Sequence, residues 1–168
     1  MPERKSLMNN LDNIQYLVLD VDGTLTDGGI YYDSVGNEMK KFSAKDGAGI
    51  LFAQSSGIEC VIITGRESIM VQRRADDLGI KYVFQNVKNK RAFLSEFMQK
   101  KQISSDYLAY CGDDINDLQA MQLASFVCCP ADASEEVKQA SQYISSKCGG
   151  NGAVRDCIEF ILKDRIRT

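Results

Sequence analysis

The sequence predicts an α/β fold: a doubly wound parallel sheet with helices on both faces and one small β-hairpin insertion. Three observations carry that prediction. Strand-length apolar runs alternate with helix-spaced segments along nearly all of the 168 residues, a pattern that folds through right-handed crossovers into a parallel sheet. The first run, Tyr16-Leu17-Val18-Leu19, ends directly on an acidic stretch holding Asp20, Asp22 and Asp27. Open α/β sheets place their chemistry at the carboxyl ends of strands, and a second acidic stretch (Asp113, Asp114, Asp117) follows a later run of the same kind.

Taken in order, residues 16–20 read as a buried strand. Two short alternating runs, 30–32 and 38–42, flank Asp33-Ser34-Val35-Gly36-Asn37 and give a hairpin signal. Residues 47–56 form a helix that Gly57 ends, and 59–64 (ECVIIT) form a second buried strand. A helix over 67–78 stops at Gly79, and 82–84 make a short strand. Residues 88–101 have helical spacing of Phe93, Leu94 and Phe97. A strand over 107–111, a helix over 115–123 and a strand over 125–128 follow. Ser134 is placed to cap a helix with Glu135 and Glu136 in its first turn. Residues 143–144 make a last short strand, and 153–163 close as an amphipathic helix through Val154, Ile158, Ile161 and Leu162. There is no internal repeat, linker or low-complexity tract. One domain over 1–168 is expected, with the hairpin at about 28–42 and a C-terminal tail at about 148–168.

Composition narrows the function. The chain is 44% hydrophobic and 26% charged, ordinary for a globular protein. A net charge of −3 argues against nucleic-acid binding, which needs a basic face. No apolar run approaches the roughly 20 residues that span a bilayer, and the first ten residues lack the apolar core of a secretory signal. A cytoplasmic protein is expected. With no histidine, a single chain cannot perform serine–histidine hydrolysis, ligate zinc through imidazole or form phosphohistidine. The six cysteines (Cys60, Cys111, Cys128, Cys129, Cys148, Cys157) form no C-x-x-C pair and read as small core hydrophobes kept reduced.

The acids remain to be explained. Carboxylates converging in one cleft repel, so either their pKa values rise or a cation sits among them. Four strand or helix ends would meet at one sheet edge: Asp20 and Asp22, then Thr64-Gly65-Arg66, then Lys90, then Gly112-Asp113-Asp114. That set suits phosphoryl transfer. Asp20 would attack phosphorus and form an aspartyl-phosphate. Asp22 would protonate the leaving alcohol and then deprotonate the attacking water. Mg²⁺, which prefers hard oxygen ligands, would be held by Asp20, Asp113 and the backbone carbonyl of Asp22. Thr64 and Lys90 would bind the phosphoryl oxygens. Asp117 reads as an orienting partner and Asp27 as a cap on the hairpin turn.

These residues resemble the four motifs of haloacid-dehalogenase-like phosphatases: D-x-D-G-T-L-T at 20–26, Thr64, Lys90 and G-D-D-x-x-D at 112–117. The resemblance covers nearly the whole chain and implies a Rossmann-like sheet. Only about 40 residues separate Thr24 from Thr64, and no insertion between Lys90 and Asp113 is long enough for a cap domain. Within the capless branch the chain is similar to the 3-deoxy-D-manno-octulosonate 8-phosphate phosphatases. The matches are T-D-G-G-I-Y-Y at 26–32, K-D-G-A-G-I at 45–50, I-T-G-R at 63–66 and G-G-N-G-A-V-R-D at 149–156.

That resemblance implies a Mg²⁺-dependent hydrolase of a ketoacid sugar phosphate, assembled as a homotetramer through its hairpins. It implies substrate contacts from Ser43, Lys45, Asp46, Gly47, Gly65, Arg66, Arg74 and Lys90, with Asp114 and Asp117 supporting the metal site from behind. It also implies that Gly150, Asn151 and Gly152 reach a neighbouring subunit's active site and help exclude water there. Arg66 stands where relatives acting on nonulosonate 9-phosphates tend to carry an acid, which favours the eight-carbon substrate. Two positions depart from the octulosonate pattern: Leu51 replaces a basic residue, and Asn151 replaces the tail arginine. The alternatives are a nonulosonate 9-phosphate phosphatase and a non-catalytic oligomerisation domain. A receiver-like signalling module is disfavoured because it needs no acid two residues after the phosphorylated aspartate.

Overall fold

The computed structural model describes residues 11–163 and residue 165. Its centre is a six-stranded, all-parallel sheet of β1 (Tyr16–Leu19), β4 (Glu59–Ile63), β5 (Tyr82–Phe84), β6 (Leu108–Cys111), β7 (Phe126–Cys129) and β8 (Tyr143–Ile144). The order across the sheet is β5-β4-β1-β6-β7-β8. The chain winds outward from β1 through β4 to β5, then returns to lay β6 against the other side of β1. The order therefore reverses between β1 and β6, and a crevice opens beyond their carboxyl ends. Leu19 lies opposite Ile62 on one side and Cys111 on the other, so Asp20, Thr64 and Gly112 leave the sheet at nearly the same level.

Strand residues alternate between two cores, as a pleat requires. Leu17, Leu19, Cys60, Ile62, Ala109 and Cys111 face α1 (Ala44–Ser55), α2 (Ile69–Asp77) and α6 (Ala153–Leu162). Val18, Val61, Ile63, Leu108 and Tyr110 face α3 (Lys90–Lys101), α4 (Leu118–Met121) and α5 (Glu135–Ala140). Both faces of the sheet are covered, which explains why its strands read as continuous apolar runs. Each fully buried aliphatic contributes about 1.5–3 kcal/mol. Five of the six cysteines are buried, and Cys148 is exposed.

The antiparallel hairpin of β2 (Tyr31–Tyr32) and β3 (Glu38–Met39) stands apart from the sheet. Its second strand is shorter than expected; Phe42 is tied instead by a single bridge to Thr26 at the base. Among the described residues there is no cap domain. Helix starts move to their capping side chains. Ser43 accepts the Asp46 N–H at 3.3 Å and starts α1 three residues early. Ser68 accepts the Met70 N–H and starts α2 two residues late. Asn89 accepts the Ala92 N–H and starts α3 at Lys90. Residues 105–107 form a 3₁₀ turn, so β6 begins at Leu108. The helix expected over 115–123 shrinks to α4, because the chain before it turns around the Asp117 carboxylate. Ser134 precedes α5 as expected but makes no capping bond, and its buried Oγ has no partner.

Gly149 and Gly150 pack against the first acidic loop of the same chain. The Gly150 N–H donates to the Thr24 carbonyl at 3.1 Å. A Cβ at Gly149 would lie 1.9 Å from the Gly23 carbonyl oxygen, so only glycine permits this approach. The segment then enters α6, whose Val154, Cys157, Ile158 and Ile161 are core residues. It joins the loop after β1 to the start of α6.

Candidate active site

The loop after β1 is wound tightly over residues 21–25, with Gly23 at φ +90°. That conformation brings the Asp113 carboxylate directly onto the loop, because a Cβ at Gly23 would sit 2.0 Å from Asp113 Oδ2. The Thr24 hydroxyl donates to Asp113 Oδ1 at 3.0 Å. Carboxylate oxygens of Asp20, Asp113 and Asp117 fall within 4.8 Å of one another. The sheet's reversal point therefore gathers three of the six sequence acids.

Lys90, the first residue of α3, is buried between two of them. Its Nζ donates to Asp20 Oδ1 and Asp117 Oδ1, each at 2.7 Å. Asp117 is wholly buried and fully engaged: Oδ1 also accepts the Tyr110 hydroxyl at 2.7 Å, and Oδ2 faces the N–H groups of Asp113 and Asp114. Its oxygens are spent on the protein. Asp20 and Asp113 are the acids left with capacity for a cation, and their hard oxygens fit Mg²⁺. Asp114 is exposed and accepts the N–H of Ile115.

The electrostatics agree. Burial pushes the Asp20 carboxyl well above its ordinary range, and the neighbouring Asp117 charge raises it further. Burial likewise lifts Asp113 to about 6. Burial pulls the Lys90 ammonium down, but the charges of Asp20 and Asp117 outweigh it and hold it above its usual value. One ammonium does not neutralise three converging carboxylates, and a divalent cation at the Asp20–Asp113 pair would remove the strain.

Asp22 lies on the same loop but is held elsewhere. Its Oδ1 accepts from Lys40 Nζ at 2.6 Å, and Lys40 also reaches Glu38 at 3.4 Å. Glu38 in turn binds Arg66 Nη2 at 2.9 Å. Thr64 is buried at the end of β4, with its N–H on the Phe84 carbonyl. Gly65 follows it, and its carbonyl accepts Lys88 Nζ. Asp27 accepts the Gly29 N–H and the Tyr31 hydroxyl, the turn-capping role expected of it.

The remaining predicted contacts divide. Arg74 reaches the Ser43 carbonyl at 3.1 Å and lies over the Phe42 ring. Gly47 is what admits it, since a Cβ there would be 2.4 Å from Arg74 Nη2. Lys45 is exposed. Arg73 is exposed and pairs with Asp77 on the same helix. Asp46 is tied to the fold: its buried carboxylate accepts the N–H groups of Gly152 and Arg155 at the start of α6. Burial raises its pKa against those bonds. Sequence reasoning did not single out Lys40, Glu38 or Tyr110, because only tertiary contacts bring them to the acids.

Comparison with known proteins agrees with this geometry. A profile of the haloacid dehalogenase-like hydrolases matches residues 17–87 and 82–155. The chain is 38% identical over 161 residues to the 3-deoxy-D-manno-octulosonate 8-phosphate phosphatase of Salmonella typhi, covering 96% of this chain and 86% of that protein. It superposes with a TM-score of 0.90 and 42% identity on the Moraxella catarrhalis 3-deoxy-D-manno-octulosonate 8-phosphate phosphatase, a complex with magnesium, phosphate and KDO. That match covers 95% of this chain and 91% of the other. The cobalt-bound Haemophilus influenzae phosphatase gives a TM-score of 0.86 at 36% identity, covering 92% and 90% of the two chains. With its sheet order, its convergent acids and these matches, the chain belongs to the haloacid dehalogenase-like hydrolases.

Proposed function

We propose that this protein is a Mg²⁺-dependent phosphatase that hydrolyses 3-deoxy-D-manno-octulosonate 8-phosphate to the free ketoacid and phosphate. One observation carries the reading: at the sheet's reversal point Asp20 and Asp113 converge with Lys90 in a buried, carboxylate-rich crevice. Asp20 is the nucleophile; its oxygen attacks phosphorus and the ester oxygen leaves, giving an aspartyl-phosphate. Asp22 gives a proton to the leaving oxygen and then takes one from the water that hydrolyses the acyl phosphate. Lys90 and Thr64 bind the phosphoryl oxygens, and Asp117 with Tyr110 fixes the Lys90 ammonium in place. Asp20, Asp113 and the Asp22 carbonyl would hold Mg²⁺, which when bound neutralises the acids and the phosphoryl group.

Arg66 and Arg74 supply cations for the substrate's carboxylate side, with Ser43, Lys45, Gly47 and Gly65 lining the approach. The match to relatives that act on this ketoacid phosphate, one of them crystallised with KDO, supports the substrate. The hairpin exposes Ile30, Tyr31, Tyr32, Val35 and Met39, an apolar surface suited to assembly into a homotetramer. Among the described residues no helix is long and apolar enough to cross a membrane, which accords with a cytoplasmic site of action.

The test is phosphate release from a sugar-phosphate panel with Mg²⁺, comparing wild type with Asp20→Asn and Asp22→Asn. Both variants should lose turnover. Equal release by all three proteins would sink the mechanism, and a hundredfold preference for a nonulosonate 9-phosphate would overturn the substrate.

A further inference from the structure

Four charges of alternating sign run from the site to the hairpin. Asp22 holds Lys40 at 2.6 Å, Lys40 lies 3.4 Å from Glu38 Oε1, and the same oxygen accepts Arg66 Nη2 at 2.9 Å. Lys40 directly follows β3, and its side chain is only 2% exposed. Those of Asp22, Glu38 and Arg66 are 25%, 21% and 42% exposed. A lysine so thoroughly buried and so tightly paired orients its partner. Here that partner is the acid–base residue of the proposed reaction, and the far end of the chain of charges is a proposed substrate-binding arginine.

We propose that Lys40 is a positioning residue that restrains Asp22 until a substrate carboxylate engages Arg66. Glu38 is the coupling element, because one of its oxygens serves two cations. A carboxylate on Arg66 takes over the Nη2 donor. Glu38, relieved of the guanidinium, closes on Lys40 and competes with Asp22 for the ammonium. Asp22 is then free to turn toward the leaving oxygen. An acidic sugar phosphate thereby assembles its own catalyst, whereas a neutral sugar phosphate leaves Asp22 tied. This specificity rests on the proposed function and extends it: the carboxylate acts on kcat as well as on affinity.

The test compares 3-deoxy-D-manno-octulosonate 8-phosphate with arabinose 5-phosphate, which lacks the carboxylate, in wild type, Lys40→Met, Lys40→Arg and Glu38→Gln. Wild type should show a large ratio of the two kcat values. Lys40→Met should shrink that ratio about tenfold by raising kcat on arabinose 5-phosphate, the scale of one charge-assisted hydrogen bond. Glu38→Gln should shrink it about as much by lowering kcat on the ketoacid phosphate. Lys40→Arg should restore the wild-type ratio. Glu38→Gln preserves shape at a partly exposed position, so it decides the matter if Lys40→Met fails to fold. Parallel losses on both substrates, with the ratio unchanged, would mean a merely structural role and overturn the coupling alone. A wild-type enzyme with no preference would overturn the substrate reading and the coupling with it.

Discussion

Binding of Mg²⁺ to this protein should be coupled to protons, and the structure sets the size of the coupling. The perturbation is a drop from pH 8 to pH 5. Burial lifts Asp113 to about 6 from an ordinary value of 3.8, so without a cation the folded chain keeps a proton that the unfolded chain has lost. The folded state binds more protons across that window, and stability therefore falls as pH rises from about 4 to about 6. A displacement of about two pH units corresponds to roughly 3 kcal/mol, all of it lost by pH 8. The cation binds only the ionised pair. With its carboxyl lifted to about 6, Asp113 is mostly protonated at pH 5, so affinity for Mg²⁺ should weaken about tenfold. Asp20, raised in the same direction, adds to the effect. The assay is thermal unfolding with and without Mg²⁺ at both pH values. For a domain of this size the Mg²⁺-induced rise in Tm should be larger at pH 8 by at least about 3–6 °C. An equal rise at the two pH values would refute the reasoning, and so would a pH dependence left undiminished in Asp113→Asn.

Two further perturbations separate structural from catalytic roles. Asp46→Ala should lower the free energy of unfolding by about 1–3 kcal/mol, because it strips the cap from α6 and leaves the Gly152 and Arg155 N–H groups unpaired. Urea denaturation measures this, and a raised KM at unchanged stability would return Asp46 to the substrate. Lys90→Met should cost about 3–5 kcal/mol and abolish turnover, since it leaves Asp20 and Asp117 buried without their shared cation. The same denaturation experiment, with a kinetic assay beside it, checks both losses.

The sheet and its acids were legible because burial on both faces writes strands as unbroken apolar runs, and each run ends where polar residues begin. Asp20 after Leu19, Thr64 after Ile63 and Asp113 after Gly112 needed only that reading. Lys90 was equally visible, as a lysine in the opening turn of a helix. What escaped depends on contacts across sequence. Lys40 meets Asp22 because the hairpin folds back over the loop, and no local pattern encodes the return. Asp46 was assigned to the substrate on resemblance, and no local pattern shows that its carboxylate faces the start of α6, more than a hundred residues on. The segment Gly150-Asn151-Gly152 was assigned to a neighbouring subunit's site on the family resemblance alone, which carries no information on how the segment packs within its own chain. Here Gly149 and Gly150 are required by close backbone approach to the loop at 23–27, which is a packing constraint. Helix starts shifted by two or three residues because Ser43, Ser68 and Asn89 cap more decisively than the apolar pattern begins.

The central claim is that Asp20 becomes phosphorylated in turnover. Rapid quenching of the Mg²⁺-loaded enzyme during hydrolysis of 3-deoxy-D-manno-octulosonate 8-phosphate, followed by peptide mass spectrometry, tests it directly. The account predicts one phosphoryl group on the peptide carrying Asp20, present in wild type and absent in Asp20→Asn. Steady turnover with the phosphoryl group on another residue, or undiminished phosphate release by Asp20→Asn, would contradict it.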